Sequence, residues 1–547
     1  MGQLLRERAA TERVLLGDEA VALGAIHAGI SAAYAYPGTP ATEIFEYVER
    51  HAAVARRPNA AWCANEKSAY EAALGCSMAG RRALVSMKHV GLNVAADPFI
   101  NSAIVSINGG LVVAVADDPG MHSSQNEQDS RCYADFARTL CLEPADQQEA
   151  YEMTREAFDL SEHFHVPVML RLVTRLAHSR APIVVREPVA EKPPAPPSDK
   201  TEWILLPAMS RVRWRKLIER QAELVDYSEG SRFNRSKPSR ERHDVGVITT
   251  GIARTYFREC LEELGPEPPH VHVGVWPPPV ARIRALAREV RAVLLLEEGY
   301  PFLERRMRGL LSPAIEVRGK RSGHLPPDGE LTPDLVRHAF GLPSRRGVVR
   351  PDLALPSRPP QLCRSCPHGD AYDALRRALE GFERPVVTSD IGCYTLGVLP
   401  PYSEGESCVC MGASIGMARG AAEAGLRPVV AVIGDSTFLH SGLPPLMDAI
   451  AADTDMTVLI LDNQTVAMTG AQPTIVPSER LEPIVLGLGA DPRHCHTVQS
   501  HPKQVDRIAA VLRGEIEHRG LSVVIAHREC LEAARKRKAH HDEEEGR

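Results

Sequence analysis

Short runs of apolar, often β-branched residues recur along the chain and alternate with segments of helical pattern. In the region 14–186 these runs lie at 31–36, 82–87, 110–116 and 166–173, and polar or glycine-rich residues follow most of them. Continuous apolar runs of this length, bounded by turn residues, are typical of buried parallel strands. The pattern therefore predicts an α/β fold in which helices connect parallel strands.

The same alternation returns twice further along the chain. Apolar runs at 245–251, 271–275 and 292–297 predict a second α/β region, and those at 429–434, 457–461 and 522–526 predict a third. Two segments rich in proline and charged residues, 186–200 and 342–361, are predicted linkers.

These boundaries predict three doubly wound domains. We assign the domains to residues 1–190, 201–345 and 360–530. Residues 531–547 form a charged tail without an apolar face, which we expect to be frayed or disordered.

Polar residues follow two strand-like runs of the third region. One run ends in Gly434-Asp435-Ser436 and the next ends in Asp462-Asn463, with a crossover of helical length between them. This is the pattern of a βαβ unit, in which the carboxyl ends of neighbouring strands form the ligand crevice. A carboxylate, an amide oxygen and a loop carbonyl suit Mg²⁺ held against a phosphate, and the glycine lets the backbone approach that phosphate. An ordinary βα turn with incidental polar residues is the alternative.

Composition narrows the classes of protein that the chain can represent. The apolar fraction is 44% and the formal charge is -6, which indicates no bias toward nucleic acid or acidic lipid. No uncharged apolar run reaches membrane-spanning length and no signal-peptide core opens the chain, so we expect a cytoplasmic protein without a membrane partner. Twelve cysteines in such a protein favour free thiols and metal ligands over disulfides.

Several uninterrupted motifs together point to one family. They are Tyr36-Pro-Gly-Thr39-Pro, Asn65-Glu66-Lys67, residues 87–98, residues 116–131, Asp390-Ile-Gly-Cys-Tyr-Thr-Leu-Gly397, residues 411–417 and Ala467-Met-Thr-Gly-Ala-Gln472. Through them nearly the whole chain resembles the large subunits of indolepyruvate:ferredoxin oxidoreductases, which belong to the thiamine diphosphate-dependent 2-oxoacid:ferredoxin oxidoreductases. Ser436 stands where the thiamine diphosphate motif has a second glycine.

The resemblance implies a domain order and partners. A pyrimidine-binding domain is expected first, a transketolase C-terminal-like domain second and a diphosphate-binding domain last. The family also implies a homodimeric core, a small (beta) subunit as partner and an external electron carrier.

Roles in the first domain follow from the same resemblance. Glu66 is expected to act on the aminopyrimidine ring of thiamine, although a helix amino terminus also favours an acid at this position. Thr39 and Arg131 are expected to hold the substrate carboxylate; for Arg131 the alternative is an ion pair with Asp129 or Glu127. Lys88, His89 and His122 follow strands on the same side and are weaker candidates for proton transfer or substrate contact.

Roles in the last domain concern the diphosphate, its cation and a cluster. The candidate cofactor-binding residues are Asp390, Gly392, Gly412, Ala413, Ser414, Gly434, Asp435, Ser436, Asn463 and Met468, and the candidate Mg²⁺ ligands are Asp435, Asn463 and Thr465. Cys363, Cys366, Cys393 and Cys530 match the four ligands of a [4Fe-4S] cluster in the related pyruvate enzymes. A Cys₄ zinc site, or thiols without a ligand role, are the alternatives.

No cysteine follows Cys530, whereas family large subunits often continue into a ferredoxin-like domain with two cysteine runs. We therefore expect either that electrons leave through another protein or that the chemistry is not oxidative.

The favoured function is thiamine diphosphate-dependent oxidative decarboxylation of an arylpyruvate to an arylacetyl-CoA, with coenzyme A as co-substrate and electrons passing through the cluster. A non-oxidative 2-oxoacid decarboxylase or carboligase, which needs no cluster, is the alternative. A regulatory or scaffold subunit without turnover is a third possibility, but it has no need to keep Glu66, Asp435 and Asn463 together.

Overall fold

The computed structural model describes residues 12–197, 199–345, 347 and 360–545, and the chain divides into two units, residues 1–349 and 350–547. Much of the linker predicted at 342–361 lies outside the described residues. None of the described helices is both long and apolar enough to cross a membrane.

The first unit alternates strands and helices along most of its length. Its strands are β1 (Glu12–Leu16), β2 (Ala32–Ala35), β3 (Asn59–Trp62), β4 (Ala83–Lys88), β5 (Leu111–Asp117), β6 (Cys141–Leu142), β7 (Val168–Val173), β8 (Arg180–Val184), β9 (Arg235–Lys237), β10 (Val245–Thr250), β11 (His270–Val273), β12 (Val275–Trp276), β13 (Ala292–Leu296) and β14 (Glu316–Arg318). Its helices are α1 (Gly17–His27), α2 (Thr42–Ala55), α3 (Glu66–Met78), α4 (His89–Ser102), α5 (Arg131–Ala137), α6 (Gln147–Phe164), α7 (Thr174–His178), α8 (Pro207–Gly230), α9 (Ala253–Cys260), α10 (Val280–Glu289), α11 (Phe302–Leu310) and α12 (Pro333–Ala339).

Two sheets organise this unit. One has the order β12-β6-β7-β5-β4-β2-β3 and is parallel except for the β12–β6 pair, and the other has the order β14-β13-β10-β11-β9 and is parallel except for β9. Every residue of the central strand β5 is buried, as the continuous apolar run predicted. The α/β fold with parallel sheets is therefore confirmed. The proposed boundary between the first two domains stays a prediction, and β12 shows that residues beyond 201 extend the first sheet.

The second unit contains one parallel sheet with the order β15-β16-β17-β21-β20, and a short antiparallel pair, β18 with β19. Its strands are β15 (Val386–Thr388), β16 (Val429–Gly434), β17 (Met456–Asp462), β18 (Thr465–Val466), β19 (Gln472–Pro473), β20 (Cys495–Gln499) and β21 (Leu521–His527). Its helices are α13 (Pro367–Leu379), α14 (Ala413–Glu423), α15 (Asp435–Thr437), α16 (Leu443–Ala451), α17 (Leu481–Gly487), α18 (Val505–Glu517) and α19 (Leu531–Glu545).

The charged tail differs from the expectation of a frayed or disordered segment, because Leu531–Glu545 is helical. The segment is rich in alanine, arginine, lysine and glutamate, which have high helix propensity. Arg535 also pairs with Glu532 one turn away, a spacing that supports a helix. Residues 546 and 547 lie outside the described part.

Candidate functional site

The predicted cation site lies at the carboxyl ends of β16 and β17. These strands are parallel neighbours, and the last residue of β16, Gly434, is in register with Leu461. Asp435 therefore lies beside Asp462, and both side chains are almost fully buried. The structure thus brings together the two polar strand ends that the sequence pattern singled out.

Asp435 is held by the backbone. Its carboxylate accepts from the N–H groups of Ser436 at 2.7 Å and Gln464 at 2.9 Å. Burial, and then the neighbouring Asp462, raise the pKa of Asp435 well above its usual value. Ionised together, two buried carboxylates this close would carry an excess of negative charge, which a proton on Asp435 relieves when no cation is present. A divalent cation at this position would remove that excess, so the residues present fit the predicted Mg²⁺.

The second carboxylate of this pair has partners of its own. Asp462 accepts from the hydroxyl of Ser478 at 2.8 Å and lies 2.7 Å from Nδ1 of His527, which ends the neighbouring strand β21. Burial opposes ionisation of Asp462, but these contacts hold its pKa below the usual value. No role for Asp462 or His527 followed from the sequence; the register of two neighbouring strand ends brings them together.

Asn463 contacts a predicted cluster ligand, a second predicted cation ligand and a histidine. Its Nδ2 lies 3.0 Å from Nε2 of His368 and 3.9 Å from Sγ of Cys393, and its Oδ1 accepts from the N–H of Thr465 at 3.2 Å. Burial lowers the pKa of His368 to about 4, so its ring is neutral at pH 7 and accepts the amide hydrogen. His368 was not singled out from the sequence, although it directly follows Cys366-Pro367.

The four cysteines lie close to one another, and two of them contact Asn463. Cys363 accepts a backbone hydrogen bond from Cys366 at 3.1 Å, and Cys530 donates its N–H to the carbonyl of Asn463 at 3.0 Å. Burial, and then the neighbouring Cys366 and Cys530, raise the pKa of Cys393 well above its usual value. Burial, and then Cys363 and Cys530, raise the pKa of Cys366 to about 11. A cationic centre would stabilise these thiols as thiolates, so the residues fit a metal group; the choice of group stays a prediction.

Asp390 organises the loop before α14. Its carboxylate accepts from the N–H groups of Ile391, Gly412 and Ser414, each at 2.9 Å. Gly412 has a φ of 88°, a conformation that favours glycine, and a Cβ there would lie 2.5 Å from that of Ser441. The aspartate therefore fixes the turn from which α14 and Ala413 begin.

The glycine at position 434 has a steric explanation that differs from the close approach to a phosphate expected from the sequence. A Cβ at Gly434 would lie 2.5 Å from Cε1 of Tyr394, and a Cβ at Gly392 would lie 2.4 Å from the same atom. The buried tyrosine ring is therefore sufficient to require glycine at both positions. Contact of these residues, and of the exposed Met468, with a cofactor stays a prediction.

In the first unit, Glu66 and Lys88 lie near each other. Glu66 is buried at the start of α3, and a Cβ at Gly91 on α4 would lie 2.4 Å from its Oε1. The amine of Lys88 donates to the carbonyl of Ser123 at 2.9 Å. Burial lowers the pKa of Lys88 to about 8, opposed by the charges of Asp118 and Glu66. The carboxyl group of Glu66 at the start of α3 and the amine of Lys88 at the end of β4 therefore lie near each other, and the amine has a pKa of about 8.

Thr39 and His89 belong to the same region. The carbonyl of Thr39 accepts from the hydroxyl of Ser123 at 3.2 Å, which links Thr39 to the residue that holds Lys88. His89 is buried, with Nε2 3.2 Å from the carbonyl of Asn126, and its Nδ1 has no hydrogen-bond partner among the described residues. His122 is exposed and lies 3.7 Å from Glu330.

Arg131 occupies a different environment from the one expected of a substrate ligand. Its side chain has no exposed surface and pairs with Asp129 at 2.5 Å and Glu297 at 3.2 Å. It also donates to the carbonyls of Glu298 and Tyr300. This is the ion pair with Asp129 that was the alternative for this residue. Contact with substrate stays a prediction, and it requires the guanidinium to leave this network.

Two family models match the chain. Residues 23–221 match the family described as pyruvate flavodoxin/ferredoxin oxidoreductase, thiamine diphosphate-binding. Residues 390–526 match the family described as thiamine pyrophosphate enzyme, C-terminal TPP binding domain. The second range includes the Asp435, Asp462 and Asn463 arrangement.

Relatives with curated names align over almost the whole chain. The chain is 37% identical to indolepyruvate oxidoreductase subunit IorA of Archaeoglobus fulgidus, over 97% of this chain and 88% of that protein. It is also 37% identical to the subunit of the same name from Methanothermobacter thermautotrophicus, over 96% of this chain and 88% of that protein. Among solved structures, a 2-oxoglutarate:ferredoxin oxidoreductase from Magnetococcus marinus shares the fold, with a TM-score of 0.51, 20% identity and coverage of 60% of this chain and 65% of that one. By these similarities the chain belongs to the thiamine diphosphate-dependent 2-oxoacid:ferredoxin oxidoreductases, among the large subunits of the indolepyruvate type.

Proposed function

We propose that the chain is the large subunit of an enzyme that oxidatively decarboxylates an arylpyruvate such as indolepyruvate and forms the arylacetyl thioester of coenzyme A. The names of the relatives support the aryl substrate. The observation that carries the oxidative part is the arrangement around Asn463. Its side-chain Nδ2 lies 3.9 Å from Sγ of Cys393, and its backbone carbonyl accepts from the N–H of Cys530. Asn463, a predicted cation ligand, thus contacts two of the predicted cluster ligands.

The second unit would hold the diphosphate end of the cofactor. Asp435 and Asn463 would bind Mg²⁺ through side-chain oxygens, and Thr465 is the candidate for the loop carbonyl. Asp390 would keep the start of α14 in position, because it holds the N–H groups of Gly412 and Ser414. Thiamine diphosphate supplies, when bound, a nucleophilic carbon and an electron sink for loss of carbon dioxide.

The first unit would supply proton chemistry. Glu66 would accept and return a proton on the aminopyrimidine ring, because a positioned carboxyl group can serve in proton transfer to a bound ring. Lys88, with a pKa of about 8, can donate a proton or hold an anion at neutral pH. Thr39 lies within the same group of loops and would orient the substrate carboxylate, whereas His89 and His122 are weaker candidates for proton transfer and substrate contact.

The four cysteines would bind a [4Fe-4S] cluster, which would pass two electrons onward one at a time. A smaller partner subunit and an external electron carrier complete the proposed enzyme. The word "subunit" in the names of the relatives supports the partner. A homodimeric core and a cytoplasmic location complete the proposal.

The experiment uses the chain purified without air together with its small subunit, thiamine diphosphate and Mg²⁺. Indolepyruvate, phenylpyruvate and pyruvate are each supplied with coenzyme A and a viologen dye, and carbon dioxide, thioester and reduced dye are measured. We expect equal amounts of carbon dioxide and thioester, dye reduction that requires coenzyme A, and a preference for the aryl substrates. Carbon dioxide and free aldehyde without dye reduction would instead support the non-oxidative decarboxylase.

A further inference from the structure

Three polar side chains that belong to none of the predicted sites converge in the first unit. Asp18 lies in the first turn of α1, Glu43 lies in the first turn of α2, and His178 ends α7. One potential ligand atom from each lies within 4.8 Å of the other two. The close approach of α1 to α7 requires glycine at position 17, since a Cβ there would lie 2.2 Å from the carbonyl oxygen of Leu176.

Asp18 points to a missing ligand. The residue is completely buried, and neither carboxylate oxygen has a hydrogen-bond partner among the described residues. An ionised carboxylate without a partner is costly to bury, and a protonated one still needs an acceptor for its O–H group. The amino termini of α1 and α2 both favour negative charge nearby, which makes two carboxylates at this position reasonable if a cation accompanies them.

We propose that Asp18, Glu43 and His178 bind a divalent cation of the Zn²⁺ class, with water completing its coordination. Two carboxylate oxygens and one imidazole nitrogen are ligands that Zn²⁺ accepts, whereas Mg²⁺ favours oxygen alone. The two carboxylates balance the charge of the ion.

The distance between two of the ligands fits this ion. Nε2 of His178 lies 3.4 Å from Oε2 of Glu43. Two ligands of a tetrahedral ion with bonds of about 2.0–2.1 Å are about 3.3 Å apart. His178 and Glu43 are each about one third exposed, so the ion has a path from solvent and an open position for water.

The site connects elements that hold the predicted substrate loop. Glu43 follows the segment 36–41, which contains Thr39, by two residues. A cation that fixes the starts of α1 and α2 to the end of α7 therefore limits the movement of that loop. The inference does not depend on the proposed function.

The competing account keeps Asp18 as a neutral acid beside a simple His178–Glu43 ion pair. Burial, and then the charges of Glu43 and Glu19, raise the pKa of Asp18 when no cation is present. The two accounts differ in whether the chain takes up an additional ion and in which residues that uptake requires.

The test compares four full-length proteins that have been treated with a chelator and kept free of thiamine diphosphate. They are the wild type, Asp18→Asn, His178→Gln and the control His51→Gln, which changes an exposed histidine on α2. Zn²⁺ bound after equilibrium dialysis is measured by mass spectrometry, and the midpoint of thermal unfolding is measured with and without Zn²⁺. Any Zn²⁺ that the cysteines take up contributes equally in all four proteins, so the differences report the proposed site.

We expect Asp18→Asn and His178→Gln to hold one ion fewer per chain, or to bind it at least about tenfold more weakly, and His51→Gln to match the wild type. Zn²⁺ should raise the unfolding midpoint less in the two site variants. Equal Zn²⁺ content and equal midpoint shifts in the wild type and His178→Gln would overturn the proposal. Because His178 is partly exposed, we expect His178→Gln to fold. This variant therefore decides the question even if circular dichroism shows that Asp18→Asn does not fold.

Discussion

The backbone N–H of Cys530 donates to the carbonyl oxygen of Asn463 at 3.0 Å. Cys530 follows β21 and Asn463 directly follows the central strand β17, and these two strands are direct neighbours. A predicted cluster ligand is therefore attached through the backbone to a predicted Mg²⁺ ligand. This relationship allows the two functions to be separated by side-chain changes that leave the backbone bond intact.

Cys530→Ser should lose most of the iron while keeping thiamine diphosphate binding. The change removes a thiolate but not the N–H that contacts Asn463, so the cation ligands stay in place. Iron content and calorimetric cofactor affinity are measured on protein purified without air. Cys132→Ser, an exposed cysteine of the first unit, is the matched control and should change neither quantity. Full iron content in Cys530→Ser would remove this residue from the ligand set.

Asp435→Asn should weaken Mg²⁺-dependent thiamine diphosphate binding at least about tenfold without lowering the stability of the cofactor-free protein. The amide keeps the size of the side chain, but its single oxygen can accept from only one of Ser436 and Gln464. The loss of the other bond is offset because the repulsion with Asp462 disappears. Calorimetry gives the affinity and thermal unfolding gives the stability. The exposed Asp448→Asn is the control, and an unchanged affinity in Asp435→Asn would contradict the predicted role.

Strand positions and the polar strand ends could be predicted from the sequence, because buried parallel strands leave continuous apolar runs. Examples are the runs at 110–116 and 429–434, which correspond to β5 and β16. The Asp435–Asn463 arrangement followed from the same logic, since it needs only the rule that parallel strand ends meet at one edge.

Contacts that depend on register or on packing between distant elements could not be predicted. The Asp462–His527 pair joins residues of two strands, and Asp18, Glu43 and His178 come from three helices without any shared motif. The contacts of Arg131 also depend on packing between elements that are distant in sequence. Its motif favoured a substrate ligand, but its partner Glu297 lies far away in sequence and at the end of another strand.

Arg131→Met should lower the free energy of unfolding by about 3–5 kcal/mol, because it removes the ion-pair partner of the buried Glu297 and leaves the buried Asp129 with Arg171 alone. Urea unfolding measures the change. Arg50→Met removes an exposed arginine that lies 3.9 Å from Glu19 and should cost no more than about 1 kcal/mol. Stability equal to that of the wild type in Arg131→Met would show that the network does not depend on this arginine and would return it to the candidates for substrate binding.

Lys88 should lose its proton near pH 8, whereas an ordinary lysine does so near 10.5. Its folded-state pKa lies below the unfolded value, so the folded protein binds fewer protons between these two pH values. The contribution of Lys88 to stability therefore increases as pH rises through that window. Competitive labelling with a small acylating reagent, followed by peptide mass spectrometry, gives the pH of half-maximal reactivity. Exposed Lys67, whose pKa is raised by its hydrogen bond to Glu71, is the control; half-labelling of Lys88 above pH 10 would contradict the assignment.

The most direct test of oxidative, thiamine-dependent turnover is the visible absorbance of the complex purified without air, recorded before and after indolepyruvate and coenzyme A are added. With about four irons per chain, the wild type should show a broad absorbance that the substrates bleach when thiamine diphosphate and Mg²⁺ are present. Glu66→Gln should show the same absorbance, and dithionite should bleach it, but the substrates should not, because the amide cannot take the proton that the carboxylate accepts. Iron-free protein that still decarboxylates indolepyruvate, or equal bleaching by substrate in wild type and Glu66→Gln, would contradict the account.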